Sequence, residues 1–185
     1  MTSISLPITG LFAEKGSLGI AGVYYSGSTS YPGILTEYSM NETFDIFGGI
    51  TFPQGTNPIF GIGSSIYIIK PKTEGLAIWI IPQYQFWNQT ISGYDASITA
   101  LGIGGNLGYK LATSKLEFLP YIGFSSTSAT ISISGIGSAT DSATSSKFGI
   151  SVDFTPKAET KMIGDINISS SSGTSTTTVM FGCIF

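Results

Sequence analysis

Three features of this sequence predict an all-β chain closed into a transmembrane, up-and-down antiparallel barrel of about ten strands. Apolar residues recur at every second position along most of the chain, charge is scarce, and no apolar stretch is long enough for a spanning helix. The strand boundaries allow a range of about eight to twelve strands.

The 185 residues suit one domain. Mean hydropathy is +0.30. Only 10% of residues are Asp, Glu, Lys or Arg, against about 25% in an average soluble domain. All eight basic residues are Lys, and His is absent. A net charge of -3 supplies no basic patch to neutralise phosphates, so a nucleic-acid partner is not expected. The longest apolar run, Leu76-Ala77-Ile78-Trp79-Ile80-Ile81-Pro82, is β-branched and stops at Pro. A spanning helix needs roughly 20 residues. A closed barrel is the other structure that satisfies every backbone group in lipid. Cys183 has no internal disulfide partner and reads as a small apolar strand residue. The first residues, MTSISLPITGLFAEKG, have neither a basic n-region nor a long h-region. A barrel is therefore expected to have lost its leader before this point, with Met1 a restart.

The elements follow in order. Residues 1–16 form an N-terminal tail, plug or extra strand: Ile4, Leu6 and Ile8 alternate, but Pro7 argues against a central strand. The barrel occupies 17–185, with strands expected at 17–26, 33–40, 43–53, 59–69, 75–87, 97–110, 115–132, 146–155, 160–169 and 174–185. The clearest alternation sets Phe148, Ile150, Val152 and Phe154 on one face against Gly149, Ser151 and Asp153 on the other. Met162, Gly164, Ile166 and Ile168 oppose Ile163, Asp165 and Asn167 in the same way. Leu101 to Tyr109 and Phe44 to Phe52 repeat the pattern. Tight connections at Asn41-Glu42, 70–74, 111–114 and 156–159 alternate with longer ones at 27–32, 54–58, 88–96, 133–145 and 170–173. This asymmetry is that of short periplasmic turns and longer outside loops. Residues 125–145, low in complexity, read as a strand extension running into a mobile loop.

Alternation alone fits a soluble barrel turned the other way, so the polar face decides. A soluble surface carries about 25–35% charged residues. Here that face is mainly Gly, Ser and Thr with isolated charges, as in a cramped lumen. The expected lumen-facing charges are Glu37, Asp45, Lys110, Glu117, Asp153 and Asp165. Phe47, Tyr67, Trp79, Ile81 and Tyr121 point inward and narrow the bore. Aromatics near strand ends, Tyr24, Tyr25, Tyr31, Tyr38, Phe44, Phe52, Phe60, Tyr84, Phe86, Trp87, Tyr109, Phe148, Phe154 and Phe185, suit two interfacial girdles.

The last segment, Thr176-Thr177-Thr178-Val179-Met180-Phe181-Gly182-Cys183-Ile184-Phe185, resembles the terminal strand of small Gram-negative outer-membrane β-barrel proteins. That family ends in an aromatic residue with apolar residues at every second position before it, here Cys183, Phe181 and Val179. The stretches LGIGGNLGYKLATSKLEFLPYIGF and KFGISVDFTPKAETKMIGDINIS resemble its hairpins. The resemblance implies residence in the bacterial outer membrane, contact with membrane lipids, and recognition by the barrel-assembly machinery through Phe181 and Phe185. The low charge and missing Arg depart from the family and leave the subfamily open.

No enzymatic role is expected. The outer-membrane enzymes of this class, the omptin proteases, phospholipase, palmitoyl transferase and lipid A deacylase, work through a His, and this chain has none. The Ser and Thr residues lack an activating partner. One Cys and scattered carboxylates give no metal site, and no cofactor is expected. Glu117, Asp153 and Asp165 are expected inward on successive strands near one end, with Lys110, Lys115 and Lys161 close by. They read as an ionic network filling the lumen, or as an acidic constriction in a narrow pore. Three functions stay open: a small passive channel for small or hydrophobic solutes, a non-transporting structural or surface-interaction barrel, and an extracellular self-assembling sheath or fibre subunit. The oligomeric state is open as well.

Overall fold

The computed structural model describes residues 15–113, 115–157 and 160–185. The tail, plug or extra strand expected within 1–16 lies outside the described residues, apart from Lys15 and Gly16 in a turn.

Ten strands close into one antiparallel barrel, each paired to its sequence neighbours and the first paired to the last. They are β1 (Leu18–Ser26), β2 (Tyr31–Asn41), β3 (Phe44–Thr51), β4 (Ile59–Ile69), β5 (Gly75–Ile91), β6 (Tyr94–Ala112), β7 (Leu116–Ile133), β8 (Gly137–Lys157), β9 (Thr160–Ser171) and β10 (Thr174–Ile184). Closure runs through pairs from Gly19↔Ile184 to Ser26↔Thr177. Among the described residues no helix is long and apolar enough to cross a membrane.

The alternation sorts side chains as period two requires. Along β1 exposed and buried residues alternate without a break, and β2 repeats this from Tyr31 to Met40. The outward set is apolar: Ile20, Ile34, Ile62, Ile103, Ile122, Phe148, Ile166 and Phe181 all stand exposed on the wall. Such a surface is stable against lipid and an aggregation hazard in water.

Several connections differ from expectation. Within the stretches 88–96 and 133–145, expected as loops, all but the turn residues 92–93 and 134–136 are strand. β5 and β6 stay paired up to Ile91↔Tyr94, and β7 and β8 up to Ile133↔Gly137. Ser92-Gly93 and Ser172-Gly173 make two-residue turns with both residues at positive φ, 52° and 86°, then 48° and 80°. This is the backbone that continues the strands' own twist. Gly135, at φ 76°, turns β7 into β8, with the Ile136 N–H donating to the Ile133 carbonyl at 3.1 Å. Ser and Thr are β-competent, so a hydroxyl-rich composition did not exclude strand here. At the opposite end the tight turn after Asn41 forms as expected. Asn41 Oδ1 accepts from the Thr43 N–H at 2.8 Å.

The girdle also needs correction. Tyr24, Tyr38, Phe52, Phe60, Tyr84, Phe86, Tyr109, Phe148, Phe154 and Phe185 face out. Tyr25 and Tyr31 instead turn inward and stack on each other, ring centroids 4.9 Å apart. Trp87 packs against the interior cluster. Tyr24 and Tyr25 are adjacent, so alternation places one on each wall.

Candidate functional site

Among the described residues, polar and charged groups from many strands converge in the lumen. Each inward position is set by alternation, and each row by strand register.

The middle of the lumen is filled. Trp79 and Tyr121 are 0% and 2% exposed and meet edge to face, with centroids 5.8 Å apart. Phe47 and Tyr67 are buried beside them in a cluster with Leu35, Ile81, Leu119, Ile163 and Met180. Two rings lie over glycines on the neighbouring strand. Tyr121 is in register with Gly149, where a Cβ would stand 2.5 Å from the phenol, and Phe47 is in register with Gly63, at 2.5 Å from the ring. The wall is notched where a ring must fit, so the middle of a ten-stranded bore closes on side chains.

The predicted inward charges separate into three groups. The first lies at the end carrying the tight turns. Lys110 Nζ pairs with Glu117 Oε1 at 2.9 Å, and Lys161 Nζ with Asp153 Oδ2 at 3.6 Å. Glu117 and Asp153 face each other across β7 and β8, so two cations and two carboxylates form one cluster. Lys115, expected close by, is exposed.

Asp165 does not join that cluster. It sits opposite Ser151, a row nearer the middle. Its carboxylate accepts from Ser151, from Asn167 Nδ2 at 2.7 Å and from the Tyr121 hydroxyl at 3.1 Å. It therefore anchors the plugging ring. Glu37 and Asp45 form the third group on β2 and β3. Asp45 takes the Ser39 hydroxyl at 2.5 Å, and both carboxylates interact with the Lys70 ammonium. Lys70 also caps the Tyr67 ring at 4.5 Å.

Sequence reasoning passed over Lys147, which points inward above the plug, 5.7 Å from the Tyr121 ring centroid. With Gln83, Asn106 and Ser125 it lines a cavity of about 20 Å³, the size of one water. Its signal was available: alternation counted back from Gly149 puts Lys147 inside. Among the described residues no group of His, Cys, Asp and Glu is arranged to hold a metal ion.

A closed antiparallel barrel with an apolar outer wall and a polar, ring-plugged interior is a transmembrane β-barrel. Residues 10–185 match the family described as outer membrane protein beta-barrel domain, and the chain belongs to it. It is a protein of the bacterial outer membrane. Among curated proteins none matches the chain. Its fold is similar to the transport unit of the autotransporter AIDA-I from Escherichia coli, at 10% identity and TM-score 0.52, covering 96% of this chain and 92% of that one. It is also similar to Ail of Yersinia pestis, at 13% identity and TM-score 0.40, covering 91% and 95%. A third is the N-terminal β-barrel domain of Pseudomonas aeruginosa OprF, at 10% identity and TM-score 0.39, covering 94% and 100%.

Proposed function

We propose that this protein is a non-conducting surface barrel, which anchors a protruding β-sheet in the outer membrane and exposes it outside. The observation carrying this reading is the plug. Trp79, Tyr121, Phe47 and Tyr67 occupy the middle of the lumen, and the ionic cluster around Lys110 and Asp153 closes the turn end below them. A pore of usable bore needs more strands than ten; about sixteen leave an aqueous channel. The sequence-level expectation of a small passive channel therefore ranks behind the surface reading. No catalytic step is assigned to the hydroxyls: Ser151 is committed to Asp165.

The protruding part supports the same reading. On β8 the outward apolar series ends at Phe148, and the outward residues beyond it are Ser146, Thr144, Ser142, Thr140 and Ser138. About 9–11 residues suffice to cross the membrane, whereas β8 has 21. The lipid-facing wall stops and a hydroxyl-faced sheet continues.

Planar-bilayer recording on protein refolded in detergent tests the proposal. The expected outcome is no stepwise conductance from protein whose unboiled gel band migrates faster than its boiled one. Reproducible single-channel steps from the same preparation refute it. The barrel-assembly machinery remains the proposed reader of Phe181 and Phe185, both on the outer wall.

A further inference from the structure

Four strands rise above the barrel rim, and their two outer edges differ. β4 pairs with β5 no higher than Phe60↔Phe86, so β5 is unpaired on that side from Trp87 to Ile91. Asn57 of the β3–β4 connection lines a groove with Asn88, Gln89 and Thr90 in front of that edge. At the other edge β8 pairs with β9 no higher than Ser146↔Ser170, while its pairing with β7 continues to Gly137. Among the described residues, 137–145 thus form a strand with a neighbour on one side only. At about 3.3 Å per residue they extend roughly 30 Å.

The direction of each backbone group follows from register. The Thr155 N–H donates to the Lys115 carbonyl across β7, and the β7–β8 register runs unbroken from Leu116↔Phe154 to Ile133↔Gly137. Odd-numbered residues of β8 therefore bond to β7. Ser138, Thr140, Ser142 and Thr144 turn their N–H and C=O groups to the open side. Two of these groups confirm the assignment: the Ser142 N–H donates to Asp141 Oδ1 at 2.9 Å, and the Thr144 carbonyl accepts the Ser171 hydroxyl at 2.7 Å.

Open edges are usually blunted by Lys, Pro or a bulge. Residues 137–145 carry neither Lys nor Pro, and their register is unbroken. Asp141 is their sole charge, and it covers one N–H only. Where β8 leaves β9, a groove of about 560 Å³ lined by Ser145, Ser146, Ser170, Ser171 and Phe124 leaves room for a passing chain.

We propose that the open edge of β8, residues 137–145, is a β-augmentation site that takes an extended segment of another polypeptide carrying a basic residue opposite Asp141. Only an extended backbone repeats N–H and C=O groups at the spacing this edge offers. The neighbouring side chains on β8 are Ala, Ser and Thr, which leave space for larger residues on the incoming strand. Charge favours a different chain over a second copy, because centred antiparallel self-pairing opposes Asp141 to Asp141. The site rests on the surface-barrel reading and gives it a partner class. Conductance recording tests that reading separately.

The test uses the full chain in detergent micelles and a synthetic probe: a peptide of about nine residues, alternating Thr and Val, with Lys at its centre. Backbone amide exchange is followed by mass spectrometry with and without the probe. The expected result is about tenfold slower exchange within 137–145 and unchanged exchange in β1–β4. A probe N-methylated at alternate residues should lose the effect, and a probe with Glu for Lys should weaken it. Thr140→Pro removes a backbone donor from the open side and, towards β7, only the exposed hydroxyl contact with Thr130, so the barrel should keep its gel shift and lose the probe. Equal protection in Thr140→Pro, or no protection by the Lys probe, overturns the proposal. Protection that rises with protein concentration and needs no probe assigns the edge to a second copy and also overturns it.

Discussion

The barrel has a short side and a tall side. β1 to β4 run 9, 11, 8 and 11 residues, whereas β5 to β8 run 17, 19, 18 and 21. The short strands match what a bilayer asks for, and their outward residues are mostly apolar from end to end. The tall strands carry the same apolar belt and then change chemistry without changing conformation. Outward Leu101, Phe124 and Phe148 give way to Ser and Thr. One backbone rule serves two solvents: period two fixes which face a residue takes, and side-chain chemistry alone fixes whether that face meets lipid or water.

This contrast can be broken at several points. The largest effect is expected at the seam. A Cβ on Gly182 would run into the Ile20 carbonyl and the Ala21 side chain. Gly182→Ala should abolish the faster unboiled gel band, because the obstacle is backbone of the strand that closes the barrel. Gly105→Ala, where a Cβ meets open space, should leave the band intact.

Next comes the plug. Trp79→Ala should cost about 3–5 kcal/mol in urea unfolding. Combined with Tyr121→Ala it should introduce small conductance steps that the parent protein lacks. If the double variant stays silent, the ionic cluster below the rings seals the bore by itself. The ionic cluster comes third. Lys110→Ala strands Glu117 and should cost about 2 kcal/mol, whereas Lys110→Met with Glu117→Leu should recover most of that loss, as read from unfolding midpoints. The smallest effect belongs to the tall side. Joining Ser128 to Ser142 by a two-residue turn removes the top of the β7–β8 hairpin. It should shift the unfolding midpoint far less than Trp79→Ala and keep the faster unboiled gel band, since 129–141 lie outside the interior cluster that holds the plug. A large loss would mean that the protruding sheet is part of the barrel's stability and not an appendage.

Much of this was legible in the chain. The series Phe148 to Phe154 and Met162 to Ile168 gave both walls of two strands directly, because a buried and a lipid-facing wall demand opposite chemistry at successive positions. The inward placement of Glu37, Asp45, Glu117 and Trp79 came from the same count. The tops of β5, β6 and β8 were missed because Ser, Thr, Ala and Asn on both faces leave no contrast for alternation to register, whereas β7 was expected to within a residue. Grouping of the charges was also out of reach. Asp153 and Asp165 look equivalent in sequence, yet one pairs with Lys161 while the other is bound to Ser151, Asn167 and Tyr121.

The sequence by itself determined the membrane-barrel class, a strand count of about ten within a range of about eight to twelve, and the face of most residues, since these depend on local period and on solvent preference. Only the tertiary structure decided which rows meet, that the rings of Phe47 and Tyr121 close the bore over glycines of neighbouring strands, and that β8 outruns β9 to leave an open edge. Those outcomes depend on register between strands, which the pattern within any one strand does not encode.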